Sequence, residues 1–246
     1  MILIICAAGR GSRIRTVLKS KPKSLISFKG VTVLENLLNI FNLNKINKII
    51  IIVGFKKDKI IKKIGYRFND KKITYIFNKK FRTTNNMYSL MLTKKHINQD
   101  IIFVASDLYL EKNIKLSISN LKKKNFILIN KNKLFFKNKD LTKVCIKKNQ
   151  IKSLGKDEFL DKISAVAPGM CGMSKNNFYK FLNISDQFIK EKKYQYGYNE
   201  VLKVLIKKNN LNFFPFNPKK YIWRNINKLN DIKYLQKILK IKSKIF

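Results

Sequence analysis

Apolar residues follow two rhythms along this chain. Short unbroken runs, "ILII" at 2–5, "KIIIIV" at 48–53, "ITYIF" at 73–77 and "IIFVA" at 101–105, are rich in β-branched residues and read as strands. Between them, "VLENLLNIF" and "KDKIIKKI" repeat apolar positions every three or four residues, the period of a helix with one buried face. Continuous apolar strands suit a sheet covered on both faces, and their alternation with helices predicts βαβ units around a mostly parallel sheet.

After about residue 125 the texture changes. "NFILIN", "KLFFKN", "LTKVCIKKNQIKSL" and the stretch around "SAVAPGMCGMS" read as extended and hairpin segments, with "KKNQ" a turn. This half is expected to extend the same sheet in antiparallel fashion, with helices at roughly 174–182, 197–208 and 229–240. The last of these is basic and amphipathic, which fits packing by one face better than a membrane surface. With no repeat or linker, residues 1–246 read as a single domain whose texture changes between the halves 1–125 and 126–246.

Charge alters the picture less than its size suggests. The formal net charge is +40, from 54 Lys and Arg against 14 Asp and Glu. Such a charge attracts polyanions, yet the lysines are spread over every segment rather than gathered with aromatics, so no specific nucleic-acid site is expected. Cys6, Cys145 and Cys171 form no CxxC pair, which fits a reducing compartment. The N-terminal apolar run is too short for a secretory signal core, and no segment reaches the ~18 to 20 apolar residues of a membrane span. A cytoplasmic protein, monomeric or homodimeric, is the expectation.

The candidate chemistry begins where the first strand ends. In "CAAGRGSR", Gly9 and Gly11 let the backbone curl around phosphates behind Ala7 and Ala8, Ser12 adds a hydroxyl donor, and Arg10, Arg13 and Arg15 add cations. The spacing is neither GxGxxG nor GxxxxGK[ST]. Ten residues past Arg13, "KPKSL" carries Lys23, suited to neutralising charge that builds up in phosphoryl transfer. "FRTTNNMYSLML" offers Asn85 and Asn86, whose amides both donate and accept as a base or ribose requires, with Ser89 at the start of a helix behind them. Asp107 directly follows the strand at 101–105, where a carboxylate can hold Mg²⁺.

Together "AAGRGSR", "KPKSL", the paired asparagines and the strand-end aspartate resemble the sugar-nucleotidyltransferase-like family, and within it the bacterial CTP:phosphocholine cytidylyltransferase branch. The resemblance implies a Rossmann-like, three-layer α/β/α nucleotidyltransferase fold, with 1–125 as the nucleotide-binding half and 126–246 as the acceptor-substrate half. It implies CMP transfer from CTP to a small phosphorylated compound, phosphocholine or another phosphorylated or phosphonate amine, with pyrophosphate released and Mg²⁺ as cofactor. A sugar 1-phosphate acceptor stays open. So does a different class altogether, a polyanion-binding protein on a decayed version of the fold.

One departure bears on that choice. Near the C-terminus the family carries an acidic pair, whose aspartate completes the metal site, but "WRNINKLND" has Asn225 and Asn227 there. The expected metal ligands are therefore Asp107 and Asn227, with Asp231 capping or flanking the last helix. On the acceptor side, Gly169 and Gly172 permit close backbone approach, and Tyr196, Tyr198 and Glu200, beside Tyr194, suit a cationic amine head group. His96 carries no expected role.

Overall fold

The structure is a computed structural model that describes residues 1–14, 18, 21–156, 163–219 and 221–241. Arg15 lies outside the described residues. The first part of the chain runs β1 Ile2–Ala7, β2 Ser27–Phe28, β3 Val31–Thr32, α1 Val33–Ile40, β4 Lys48–Val53, α2 Lys57–Ile64, β5 Arg67–Phe68, β6 Lys71–Phe77 and α3 Asn86–Met91. The middle part holds β7 Ile101–Ala105, β8 Leu108–Leu110, α4 Ile114–Ser119, β9 Phe126–Leu128, β10 Thr142–Lys147, β11 Gln150–Gly155, β12 Ala165–Ala167 and β13 Met170–Met173. Then follow α5 Lys175–Lys190, α6 Tyr198–Lys207, β14 Phe214–Phe216, β15 Trp223–Asn225 and α7 Leu229–Ile238.

The fold is α/β, with a mixed, mostly parallel eight-stranded sheet among the described residues. Two compact units interleave along the sequence. The first comprises Leu3–Arg82, Val104–Leu121 and Lys220–Phe246, the second Met1–Ile2, Thr83–Phe103 and Lys122–Lys219.

In the first unit, sheet neighbours follow the order β1, β4, β6, β5, with β4 parallel to β6 from Ile49↔Ile73 to Val53↔Phe77 and β5 antiparallel to β6. The isoleucines of β1 and β4 are buried without interruption, as a doubly covered strand requires. Helix α1 starts with a capping box: the Thr32 hydroxyl accepts from Glu35 N while the Glu35 carboxylate accepts from Thr32 N. Ile14, Leu18, Ile26, Phe28, Val33, Ile226, Ile232 and Leu235 form one apolar cluster, which gathers the glycine loop, the segment after Lys23 and α7 from distant stretches of chain.

In the second unit the order is β14, β9, β13, β7. Strand β13 is antiparallel to β9 and β14 is parallel to it. The expected antiparallel extension is thus met by β9 and β13, whereas β10, β11 and β12 leave it and form a three-stranded sheet of their own. Apolar texture identifies strands but not their partners, which is why that split was invisible in the sequence. The expected turn is present, with Lys148 and Asn149 both at positive φ (48° and 56°), the conformation that matches hairpin twist. Helix α5 runs eight residues beyond the expected end at 182, because Phe178, Phe181, Leu182, Ile184 and Ser185 keep one face buried. Among the described residues, no helix is long and apolar enough to cross a membrane.

Candidate active site

Within the first unit, the ends of two strands are tied together. Ser106 N donates to Cys6 O at 3.2 Å, so the residue before Asp107 is fixed beside the end of β1. Ala7 and Ala8 are buried there, and Ala8 O accepts from Phe55 N at 3.1 Å. The neighbouring Gly54 admits this approach, since a Cβ on it would lie 2.6 Å from Ala8 O. Gly9 is exposed, with open space where a side chain would project. Beyond it, Gly11 O accepts from Ile14 N at 3.0 Å and starts a short 3₁₀ turn, Ser12–Ile14, that leaves Ser12 and Arg13 exposed and buries Ile14.

Gly11 has φ +61°, and a Cβ there would come 2.6 Å from Lys23 Cγ. The two halves of the opening motif are therefore one packing arrangement, in which the glycine makes room for the lysine stem. Pro22, at φ −58°, leads into the turn Lys23–Leu25 and directs that stem.

The lysine ends in a cluster of oxygens. Lys23 Nζ donates to Asp107 Oδ2 at 2.7 Å, Ile226 O at 2.9 Å and Asn227 Oδ1 at 3.1 Å. Its side chain is 17% exposed and that of Asp107 24%, so the cluster lies at a wetted surface rather than in the core. Antiparallel pairing of β15 with β8 sets Asn225 opposite Leu108, and Ile226 N continues it by donating to Asp107 O at 2.9 Å. That register carries Asn227 to Asp107. Asp231, third residue of α7, then fixes it: Oδ2 accepts from Asn227 N and Lys228 N, both at 2.8 Å, and Oδ1 accepts from Arg224 Nε at 2.8 Å. The Arg224 guanidinium also lies 4.5 Å over the Tyr234 ring.

A carboxylate, an amide carbonyl and a main-chain carbonyl converging on one cation make an all-oxygen donor set of the kind a hard divalent ion takes. The residues present therefore fit Mg²⁺. The set is short of charge: among the described residues, no group of three or more His, Cys, Asp or Glu side chains could hold a metal.

The remaining expected residues belong to the second unit. Asn85 caps α3, its Oδ1 accepting from Asn86 N at 2.8 Å, and its Nδ2 donates to Gln195 O at 3.1 Å. Asn86 Oδ1 accepts from Tyr198 N at 2.7 Å, and Gln195 Nε2 donates to Thr83 O at 2.8 Å. The asparagines thus hold the segment 194–198 through its main chain. Ser89 is not at the start of the helix as expected but buried inside it, since α3 begins at Asn86.

The acceptor-side candidates are engaged in packing and capping. Tyr198 is buried, its ring 4.8 Å from that of Phe103. Glu200 Oε2 accepts from Gly197 N at 2.8 Å to cap α6, and Tyr196 meets Phe188 edge-on at 5.0 Å. Gly169, at φ +105°, makes the buried turn between β12 and β13. Gly172 packs instead of facing a ligand, for a Cβ there would lie 2.1 Å from the Phe126 ring. Sequence reasoning missed the Ile226 carbonyl and the Arg224–Asp231 pair. The first carries no side-chain signal, because any residue type presents a carbonyl.

A family model described as "Nucleotidyl transferase" matches residues 2–139, which include the glycine loop, Lys23, both asparagines and Asp107. The chain belongs to the nucleotidyl transferase family. Among curated relatives of this nucleotidyl transferase family member, the choline-phosphate cytidylyltransferase of Streptococcus pneumoniae is 35% identical over 117 residues, 46% of this chain and 48% of that protein. The bifunctional protein GlmU of Methanococcus maripaludis is 32% identical over 114 residues, 46% of this chain and 26% of that protein. The chain thus matches half or less of the length of these relatives. Among solved structures, the inositol-1-phosphate CTP transferase from T. maritima superposes with a TM-score of 0.78 at 18% identity, over 99% of this chain and 97% of that one, which is a likeness of fold. The resemblance read from the motifs to the cytidylyltransferase branch is therefore matched among the relatives.

Proposed function

We propose that the protein transfers CMP from CTP to a small phosphorylated compound, phosphocholine or a similar phosphorylated or phosphonate amine, and releases pyrophosphate. The observation that carries this reading is the convergence of Lys23, Asp107 Oδ2 and Asn227 Oδ1 within 3.1 Å, packed against the glycine loop through Gly11. In this reaction an acceptor phosphate oxygen attacks the α-phosphorus in line. A new P–O bond forms as the bond to the bridging oxygen breaks, and the electron pair leaves with pyrophosphate. No covalent intermediate with the enzyme is needed, so catalysis is positioning plus charge neutralisation.

Each part of the first unit has a role in that scheme. The loop Gly9–Arg13 takes the triphosphate through main-chain N–H groups, Ser12 and Arg13. Lys23 offsets the charge that develops at the α-phosphate. Asp107 and Asn227, with the Ile226 carbonyl, would hold Mg²⁺, which when bound supplies further charge neutralisation and orients phosphate oxygens. Asp231 keeps Asn227 in position through its main-chain N–H.

The test is a screen of nucleoside triphosphates against phosphorylated amines and sugar 1-phosphates, read by pyrophosphate release. Turnover with CTP and an amine supports the proposal, and turnover only with a sugar 1-phosphate moves the acceptor class. The charge of +40 and the two asparagines at 225 and 227 favour a second reading, a non-catalytic polyanion binder. Salt-sensitive binding of unrelated RNA, with no pyrophosphate from any pair, would select it.

A further inference from the structure

We propose that Lys23 and the divalent cation are mutually exclusive occupants of one oxygen cluster, so that this chain takes up its metal only when Lys23 is drawn away, as a bound triphosphate would do. The inference rests on the nucleotidyl-transfer reading and deepens it. Its basis is that all three oxygens suited to a hard cation, Asp107 Oδ2, Asn227 Oδ1 and Ile226 O, already face a single ammonium at 2.7, 3.1 and 2.9 Å. A donor set filled by one cation cannot serve a second, and two cations on the same carboxylate repel one another.

Local charge points the same way. Among the described residues the cluster holds one carboxylate, Asp107, and one ammonium, so its net charge is zero and no negative field draws in a free divalent ion. Asn225 and Asn227 contribute none, and the next carboxylate, Asp231, is engaged by Arg224 and two main-chain N–H groups. A triphosphate supplies the missing negative charge. It also offers Lys23 a better partner than a carboxylate shared with a metal. The stem packs directly against Gly11, where a Cβ would come 2.6 Å from Lys23 Cγ, so the ammonium is tethered beside the glycine loop that would hold the triphosphate. Metal and nucleotide affinity are then coupled in both directions, as linkage requires.

Two measurements, neither relying on turnover, test this. In the first, the wild-type protein without nucleotide is labelled with an amine-acylating reagent at rising Mg²⁺, and Lys23 modification is read by mass spectrometry. Exclusion predicts that Mg²⁺, at concentrations at which the metal occupies the cluster, frees the ammonium and raises labelling at Lys23, whereas unchanged or reduced labelling at that occupancy overturns the proposal. In the second, Mn²⁺ binding to nucleotide-free protein is followed by electron paramagnetic resonance for wild type, Lys23→Met, Lys23→Gln and Asp107→Asn. Removing the ammonium is expected to tighten Mn²⁺ binding about tenfold, within the usual range of coupling between sites. Binding that is unchanged or weaker in both Lys23 variants refutes exclusion. Asp107→Asn separates the two failures: if it leaves Mn²⁺ affinity unchanged, the ion does not use this cluster, and the metal assignment falls together with the exclusion.

Discussion

At the scale of the residue, the site depends on three side chains from distant parts of the chain and on one missing Cβ. Asp107→Ala removes the carboxylate that holds the Lys23 ammonium, and pyrophosphate release should be lost while the melting transition is kept. A folded variant with near wild-type turnover would remove Asp107 from the reaction. Gly11→Ala places a methyl group 2.6 Å from Lys23 Cγ at φ +61°. The lysine must then move, and kcat should fall at least about tenfold, whereas damage confined to the loop's grip on the triphosphate would raise the nucleotide KM instead. Asn227→Asp adds a carboxylate beside Asp107 and should lower the Mg²⁺ concentration for half-maximal rate, with Asn227→Ala raising it. Identical magnesium profiles in wild type and both variants would show that Asn227 is not a ligand.

At the scale of the element, local chemistry decides where helices start and which strands tolerate change. Thr32→Ala breaks the capping box of α1 and should cost about 1 kcal/mol in chemical denaturation. Gly172→Ala drives a Cβ into the Phe126 ring within the pair β9–β13 and should cost roughly 1–3 kcal/mol, the usual range for overpacking. A neutral result there would mean that the strand pair can shift apart. This is also the scale at which the sequence was most legible. The runs at 48–53 and 101–105 coincide with β4 and β7, because a β-branched apolar run with no helical period has few other ways to bury itself. The hairpin turn at Lys148 and Asn149 was legible for the same local reason. Pairing was not: nothing in "FPF" says that β14 lies parallel to β9, since that depends on contacts between distant segments. In the site, Lys23, Asp107 and Asn227 could be named from motif order. Their meeting rests on the β15–β8 register and the apolar cluster around Ile226, which no local pattern encodes.

For the whole molecule, two of the described carboxylates, Glu35 and Asp100, are tied into structure, and acid should show it. Burial alone would raise the Glu35 carboxyl, but hydrogen bonds from the Thr32 side chain and main chain, with Lys63 nearby, hold it below its ordinary value of 4.5. At Asp100, burial is likewise outweighed by Lys124 and the Lys175 N–H, which hold that carboxyl below its ordinary 3.8. Both groups bind protons more readily unfolded than folded. Their stabilisation is thus complete above the ordinary carboxylate range and is lost as pH falls through the lowered folded values. Denaturation midpoints should hold down to about pH 5 and then decline, less steeply in Glu35→Gln than in wild type. Equal slopes would show that Glu35 does not drive the acid limb.

The interleaving of the two units has a further consequence on the ribosome. Lys23 and Asn227 stand 204 positions apart, so at ~5–20 residues per second roughly 10–40 s pass between their syntheses. Throughout that interval the nascent first unit lacks β15 and α7, and its Ile14, Ile26 and Phe28 have no Ile226, Ile232 or Leu235 to pack against. A chain stalled before residue 220 should therefore recruit hydrophobic-binding chaperones, and a chain carrying all of α7 beyond the exit tunnel should release them.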